Sequence, residues 1–291
     1  MLVSDLFTAR CLDLNITTVN TKLRENFMLA SSKIFKGTTL NFSNLNFGPE
    51  CAKIASKIIS VYTWNTNYKS ESLKSPQSLC CSKINLSNNN FGIQNLKILI
   101  RVWINQPRLI HLNLQNNDID DLTMWYLFKN LQTNITIIHL DIGNSKMAHR
   151  NRIRKRSSLA LKWLLTVNKS LQILNLQNWG INFITFENII NGVAQSELIS
   201  LNISQNDIND EWILILNEKY SSVKYKLQEL VLNHVPVVDK SAMKREKYQM
   251  VGLSEVVIIY IGCRKQFFKF YAWINHWKII FNQNKSPICR N

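Results

Sequence analysis

The sequence predicts an α/β solenoid: a parallel inner β-sheet with a row of outer α-helices. Three observations carry that expectation. The stretch Leu109-Ile110-His111-Leu112-Asn113-Leu114-Gln115-Asn116-Asn117-Asp118-Ile119 has the form LxxLxLxxNxI. Its alternation of apolar and polar residues marks a short strand with one buried face. The same pattern returns along the chain. Between its copies the apolar spacing changes to that of an amphipathic helix.

The copies are headed by Leu12, Leu40, Ile84, Leu112, Leu140, Leu174, Leu201 and Leu230, with a ninth near Val256 or Val257. The intervals between heads are 28, 44, 28, 28, 34, 27 and 29 residues. The two long ones equal about one period plus insertions of 16 and 6 residues. Two residues after each head the side chain is apolar: Leu14, Phe42, Leu86, Leu114, Ile142, Leu176, Ile203 and Leu232. Three residues before it stand Cys81, Leu109, Ile137, Leu171, Leu198 and Leu227.

The helices are read in the same order. Gly48-Pro49-Glu50 opens one with proline in the first turn, where its missing N–H costs nothing. Ile54, Ala55, Ile58 and Ile59 then form its stripe. Leu96, Leu99, Ile100 and Trp103 form the next, followed by Leu122, Trp125, Phe128 and Leu131. Asp120-Asp121 and Asn209-Asp210-Glu211 are good helix starts. No strand–helix unit can bury its apolar face alone, so the units must stack. The expected organisation is about eight repeats over residues 1–239, then a degenerate last repeat and a C-terminal cap over 240–291.

The strand pattern, the period with a full helix, and the helix entry Gly48-Pro49-Glu50-Cys51-Ala52-Lys53-Ile54-Ala55 resemble the leucine-rich-repeat superfamily, in its ribonuclease-inhibitor-like subclass. The resemblance covers residues 9 to 240. It implies a horseshoe with a concave inner sheet. It also implies an asparagine five residues after each head, which satisfies loop backbone between coils. Asn89, Asn117 and Asn206 fit; Thr17, Leu45, Ser145, Trp179 and Val235 stand elsewhere.

Strand residues just before and after each head face the concave side. The expected partner-binding set is Asn85, His111, Asn113, Gln115, His139, Asp141, Asn175 and Asn202. These are neutral polar rungs about 4.8 Å apart, suited to hydrogen-bonding a protein or peptide, or equally to serving as solvent-facing filler. His111 and His139 sit in adjacent repeats with Asp141 on the same face, a set that could bind metal or exchange protons. Lys83 and Ile173 supply no third strong ligand beside them, so solvated polar residues with no metal are expected.

The net charge of +16 favours an acidic partner. It concentrates in Lys146-Met147-Ala148-His149-Arg150-Asn151-Arg152-Ile153-Arg154-Lys155-Arg156, which contains the six-residue insertion and no acid. Lys146, Arg150, Arg152, Arg154, Lys155 and Arg156 are the candidate contacts of this loop. A solvated loop, an acidic-protein or nuclear-localisation patch, and a nucleic-acid contact all remain open. The Tyr62–Gln77 insertion reads as an exposed loop. Lys240–Lys247 reads as a basic helix. Arg264–Phe281 reads as a helix striped with Phe267, Phe270, Tyr271, Ile274, Trp277 and Phe281, either capping the solenoid or lying on an anionic membrane.

The six cysteines form no CxxC pair, and no signal peptide opens the chain, so reduced thiols in a cytoplasmic or nuclear protein are expected. There is no GxSxG, P-loop, HExxH or dinucleotide loop. The expected function is a non-enzymatic protein-interaction scaffold without cofactors. The alternative is a basic protein that engages nucleic acid or a membrane surface through the 146–156 loop and the C-terminal helix. A third rests on the resemblance: the related Ran GTPase-activating proteins use a loop arginine, although no motif here matches theirs residue by residue.

Overall fold

The computed structural model describes residues 2–31, 34–36, 38–64, 81–89, 93–104, 106–145, 151–206, 208, 212, 226–227, 229–233 and 257–261. Its elements run α1 (Leu2–Asp13), α2 (Thr21–Ser31), β1 (Phe35–Lys36), β2 (Thr39–Asn41), α3 (Pro49–Trp64), β3 (Lys83–Asn85), α4 (Ile93–Ile104), β4 (His111–Asn113), α5 (Asp121–Leu131), β5 (His139–Asp141), α6 (Lys155–Val167), β6 (Ile173–Asn175), α7 (Phe183–Val193), β7 (Ser200–Asn202), β8 (Glu229–Asn233) and β9 (Val257–Ile261). The strands form one α/β sheet in strict chain order. Every pairing from β2 to β9 is parallel; β1 alone pairs antiparallel.

The register places Leu40, Ile84, Leu112, Leu140, Leu174, Leu201, Leu230 and Ile258 side by side. Seven of these are the strand heads that periodicity marks. The ninth is Ile258, one residue beyond Val257. From Leu40 to Leu230 the heads are buried. So are the residues two after them from Phe42 to Ile203, and Cys81, Leu109, Ile137, Leu171, Leu198 and Leu227 three before. These side chains fill the layer between sheet and helices, and each helix from α3 to α7 packs on the next.

Left-handed residues, asparagine in four cases, turn the chain out of five of the strands. Asn44, Asn88, Asn116, Asn178 and Gln205, four residues after their heads, have φ between 55° and 58°. Asn is among the few L-residues that adopt this left-handed conformation readily. Helix starts then follow the local caps: Asp120 Oδ1 accepts from Thr123 N–H at 2.8 Å, and Asn182 Oδ1 from Thr185 N–H at 2.9 Å. The buried face of α5 is Met124, Leu127, Phe128 and Leu131. Leu122, expected on that stripe, is instead exposed.

The first expected repeat is not a strand. Leu12 lies in α1 and is 62% exposed, and Leu14 is 38% exposed. Leu6, Phe7, Ala9 and Cys11 enter the core from this helix instead. Asp13, expected on the inner face, caps α3: its carboxylate accepts from the N–H groups of Gly48 (2.9 Å), Glu50 (2.8 Å) and Cys51 (2.9 Å). A Cβ at Gly48 would lie 2.7 Å from Asp13 Cγ, so glycine is needed for that approach. The place beside β2 is taken by β1, and residues 11–13 instead end a helix that buries four side chains and caps its neighbour.

The calls for an insertion over 62–77 and for helices over 240–247 and 264–281 lie largely or wholly outside the described residues; Tyr62 to Trp64 form the end of α3.

Candidate functional site

One face of the sheet is covered by the helices, and the other carries the candidate residues. Asn85, Asn113, Asp141, Asn175 and Asn202 stand in register on adjacent strands, half-buried. Each side-chain oxygen accepts from the backbone N–H two residues on: Ser87 (3.0 Å), Gln115 (2.9 Å), Gly143 (3.1 Å), Gln177 (3.0 Å) and Ser204 (3.0 Å). These are Asx turns, which end each strand. One half of every group is therefore committed to the fold. The Nδ2 of Asn175 donates to Asp141 Oδ1 at 3.0 Å, while those of Asn85, Asn113 and Asn202 make no hydrogen bond among the described residues. Burial raises the Asp141 carboxyl above its ordinary value, opposed by these two hydrogen bonds. Gln115 is half-buried, but Ser87, Gly143 and Ser204 in the same column are buried.

His111 and His139 pair in register on β4 and β5, and their rings stack at 3.9 Å with 6° between planes. Burial, then the neighbouring His139, then Lys83 lower His111 to about 4; burial and Lys83 lower His139. Both rings are thus neutral at pH 7. Among the described residues no group of three or more His, Cys, Asp or Glu is placed to hold a metal.

The basic segment divides at Asn151. Lys146 and Arg150 lie outside the described residues; Arg152, Arg154, Lys155 and Arg156 are exposed. Arg152 pairs with Asp118 at 3.1 Å. Asn151 and Ile153 are buried and resume the stack. Asn151 Nδ2 donates to Leu114 O (2.9 Å) and Ile142 O (3.0 Å), and its Oδ1 accepts from Asn117 and Ile119 N–H (3.1 Å each). Asn206 makes the same kind of bonds to Leu176 O, Trp179 N–H and Ile181 N–H. The motif Asn-x-Ile at 117–119, 151–153 and 206–208 was the available signal. Asn144 and Asn151 also clasp each other: Asn151 N–H donates to Asn144 Oδ1 (2.7 Å), and Asn144 Nδ2 to Asn151 O (3.0 Å). Residues 146–150 between these two asparagines lie outside the described residues, and from Asn151 the chain is described again, with Ile153 in the core.

Sequence reasoning missed Asn151 and also Trp179, whose indole N–H donates to Ile142 O at 2.6 Å. With Asn89 to Phe42 O (2.8 Å) and Asn117 to Leu86 O (3.0 Å), a buried donor binds the preceding strand's outgoing carbonyl at five successive steps. Arg154 occupies the cap position of α6, which an arginine side chain cannot serve as acceptor. Asp121 of α5 serves instead, accepting from Arg154 N–H (2.7 Å), Ser157 N–H (3.2 Å) and the Ser157 hydroxyl.

Burial raises the thiols of Cys51 and Cys81, the latter to about 11, so both act as packing residues rather than nucleophiles. Among the described residues no helix is long and apolar enough to cross a membrane. No family model matches the chain, and no curated protein matches it.

Proposed function

We propose that the chain is a leucine-rich-repeat solenoid of the ribonuclease-inhibitor-like kind, and that it acts as a non-enzymatic scaffold binding a protein partner on its inner sheet face and adjoining loops. The in-register strand heads and the buried asparagine ladder support the repeat reading. The observation that carries the functional reading is the row of side-chain amides. Their oxygens are held by Asx turns, so the free Nδ2 donors of Asn85, Asn113 and Asn202 are pre-oriented toward a ligand's carbonyls. Preorganised donors lose little entropy on binding. The donors themselves are uncharged, so such a complex tolerates salt.

Affinity capture from the source cell tests this with the full chain and a Gln115→Arg/Gln177→Arg variant. The wild type should retain a protein between about 50 and 200 mM salt, a range over which phosphate-driven binding collapses, and the variant should lose it. Equal capture by both chains overturns the reading. Capture that vanishes with salt favours the anion-binding alternative, which rests on exposed Arg152, Arg154, Lys155 and Arg156.

A further inference from the structure

The outer face of α6 is apolar where a solvent-facing helix is ordinarily polar. Leu159, Trp163 and Val167 recur every four residues and are exposed, Trp163 at 57%. They form a ridge about 12 Å long. Exposed Lys155 and Arg156 lead into it, and half-buried Lys162 flanks it. Exposed Leu122 and Ile184 occupy the first turns of the adjacent α5 and α7. The first turn of α6 contains no acid, so its two cations face the positive end of the helix dipole. Neither cation makes an ion pair among the described residues.

The neighbouring acids offset this charge only in part: Asp118 is paired with Arg152, and the Asp121 carboxylate lies at the N-terminus of α6. Exposed Glu187 lies on α7, while exposed Lys129 lies on α5 and exposed Lys169 just after α6, so cations outnumber acids along these three helices.

We propose that this ridge seats on an anionic membrane surface, with Leu159, Trp163 and Val167 entering the headgroup–acyl boundary and Lys155 and Arg156 holding lipid phosphates and carboxylates. Tryptophan favours that boundary, and lysine and arginine stems cover apolar surface while their heads reach charge. A bilayer conforms to a projecting ridge, whereas a folded partner would need a matching groove. Apolar insertion combined with clustered cations is the signature of reversible interfacial binding.

Co-sedimentation of the full chain with phosphatidylcholine vesicles, with and without phosphatidylserine, tests this. Binding should require phosphatidylserine. Lys155→Glu/Arg156→Glu should lower partitioning by about tenfold or more, and Trp163→Ser should lower it several-fold. Lys22→Glu/Lys57→Glu, which makes the same change in net charge on distant exposed positions, should bind like the wild type. All these positions are solvent-facing, and an unchanged thermal melt verifies folding. Four results overturn the proposal: equal binding to neutral vesicles, no vesicle binding at all, binding only of a polyuridylate probe, or equal losses in the distant and ridge variants. Binding that survives the ridge substitutions and vanishes when residues 262–291 are removed also overturns it.

Discussion

Asp13 and Asp141 occupy the same column of the sequence pattern, one residue after a strand head, and do unrelated work. Asp141 sits in mid-sheet, closing an Asx turn and accepting from Asn175. Asp13 ends a helix and caps another through three backbone N–H groups. The difference lies in their neighbours. Asp141 has paired strands on both sides, so its segment gains two ladders of hydrogen bonds by extending. Beside β2 the place of a strand from residues 11–15 is taken by antiparallel β1, and the same letters fold as a helix terminus. A repeat motif specifies a strand only where the stack supplies partners.

The heads test this most strongly. Leu112→Ala should cost about 3–5 kcal/mol, because a fully buried leucine leaves a cavity. Leu12→Ala should stay within about 0.5 kcal/mol, because that side chain is exposed. Urea denaturation of both variants measures the contrast, and equal losses would return Leu12 to the core. Next, Asn151→Ala should cost on the order of 3 kcal/mol, since two carbonyls and two N–H groups lose their partner inside the stack. Asp13→Ala should cost about 1–2 kcal/mol, the worth of a helix cap, with Asp13→Asn recovering part of it in the same melt. Trp179→Phe should cost about 1 kcal/mol at most, because it removes one of the two donors to Ile142 O and leaves that of Asn151.

The smallest effect is that of pH. His111 is held at about 4 against an ordinary 6.5, so between those values the unfolded chain binds a proton that the folded chain refuses. Stability should be full above about pH 6.5 and decline as pH falls toward about 4. Partial exposure of the rings limits its size. Proton NMR titration of both imidazoles reads the shifts directly, and His111→Gln should flatten the stability profile.

The sheet was legible because its signal is periodic: heads, the apolar residues two after them, and those three before all fall on one buried layer. The adjacency of His111 and His139 followed from that periodicity as well. Their stacking and loss of basicity did not, since these depend on ring orientation and burial. Asn151 was hidden inside a run whose charge attracts attention first, although Asn-x-Ile repeats around it. Trp179 was read as a missing asparagine, because letter matching does not register that an indole N–H can reach the same carbonyl. The cap that Asp121 gives α6 joins residues 33 and 36 apart on different helices, a relation fixed only by how those helices pack.

One side chain fixes the backbone within the basic run. Asn144 Oδ1 accepts from Asn151 N–H and its Nδ2 donates to Asn151 O, so a single amide holds the backbone at the point where the buried layer resumes. Doubling the length of a closed segment adds only about 0.6 kcal/mol of closure entropy. The number and kind of residues between these two asparagines are thereby uncoupled from the register of the core, and new surface chemistry enters the sequence there at least cost.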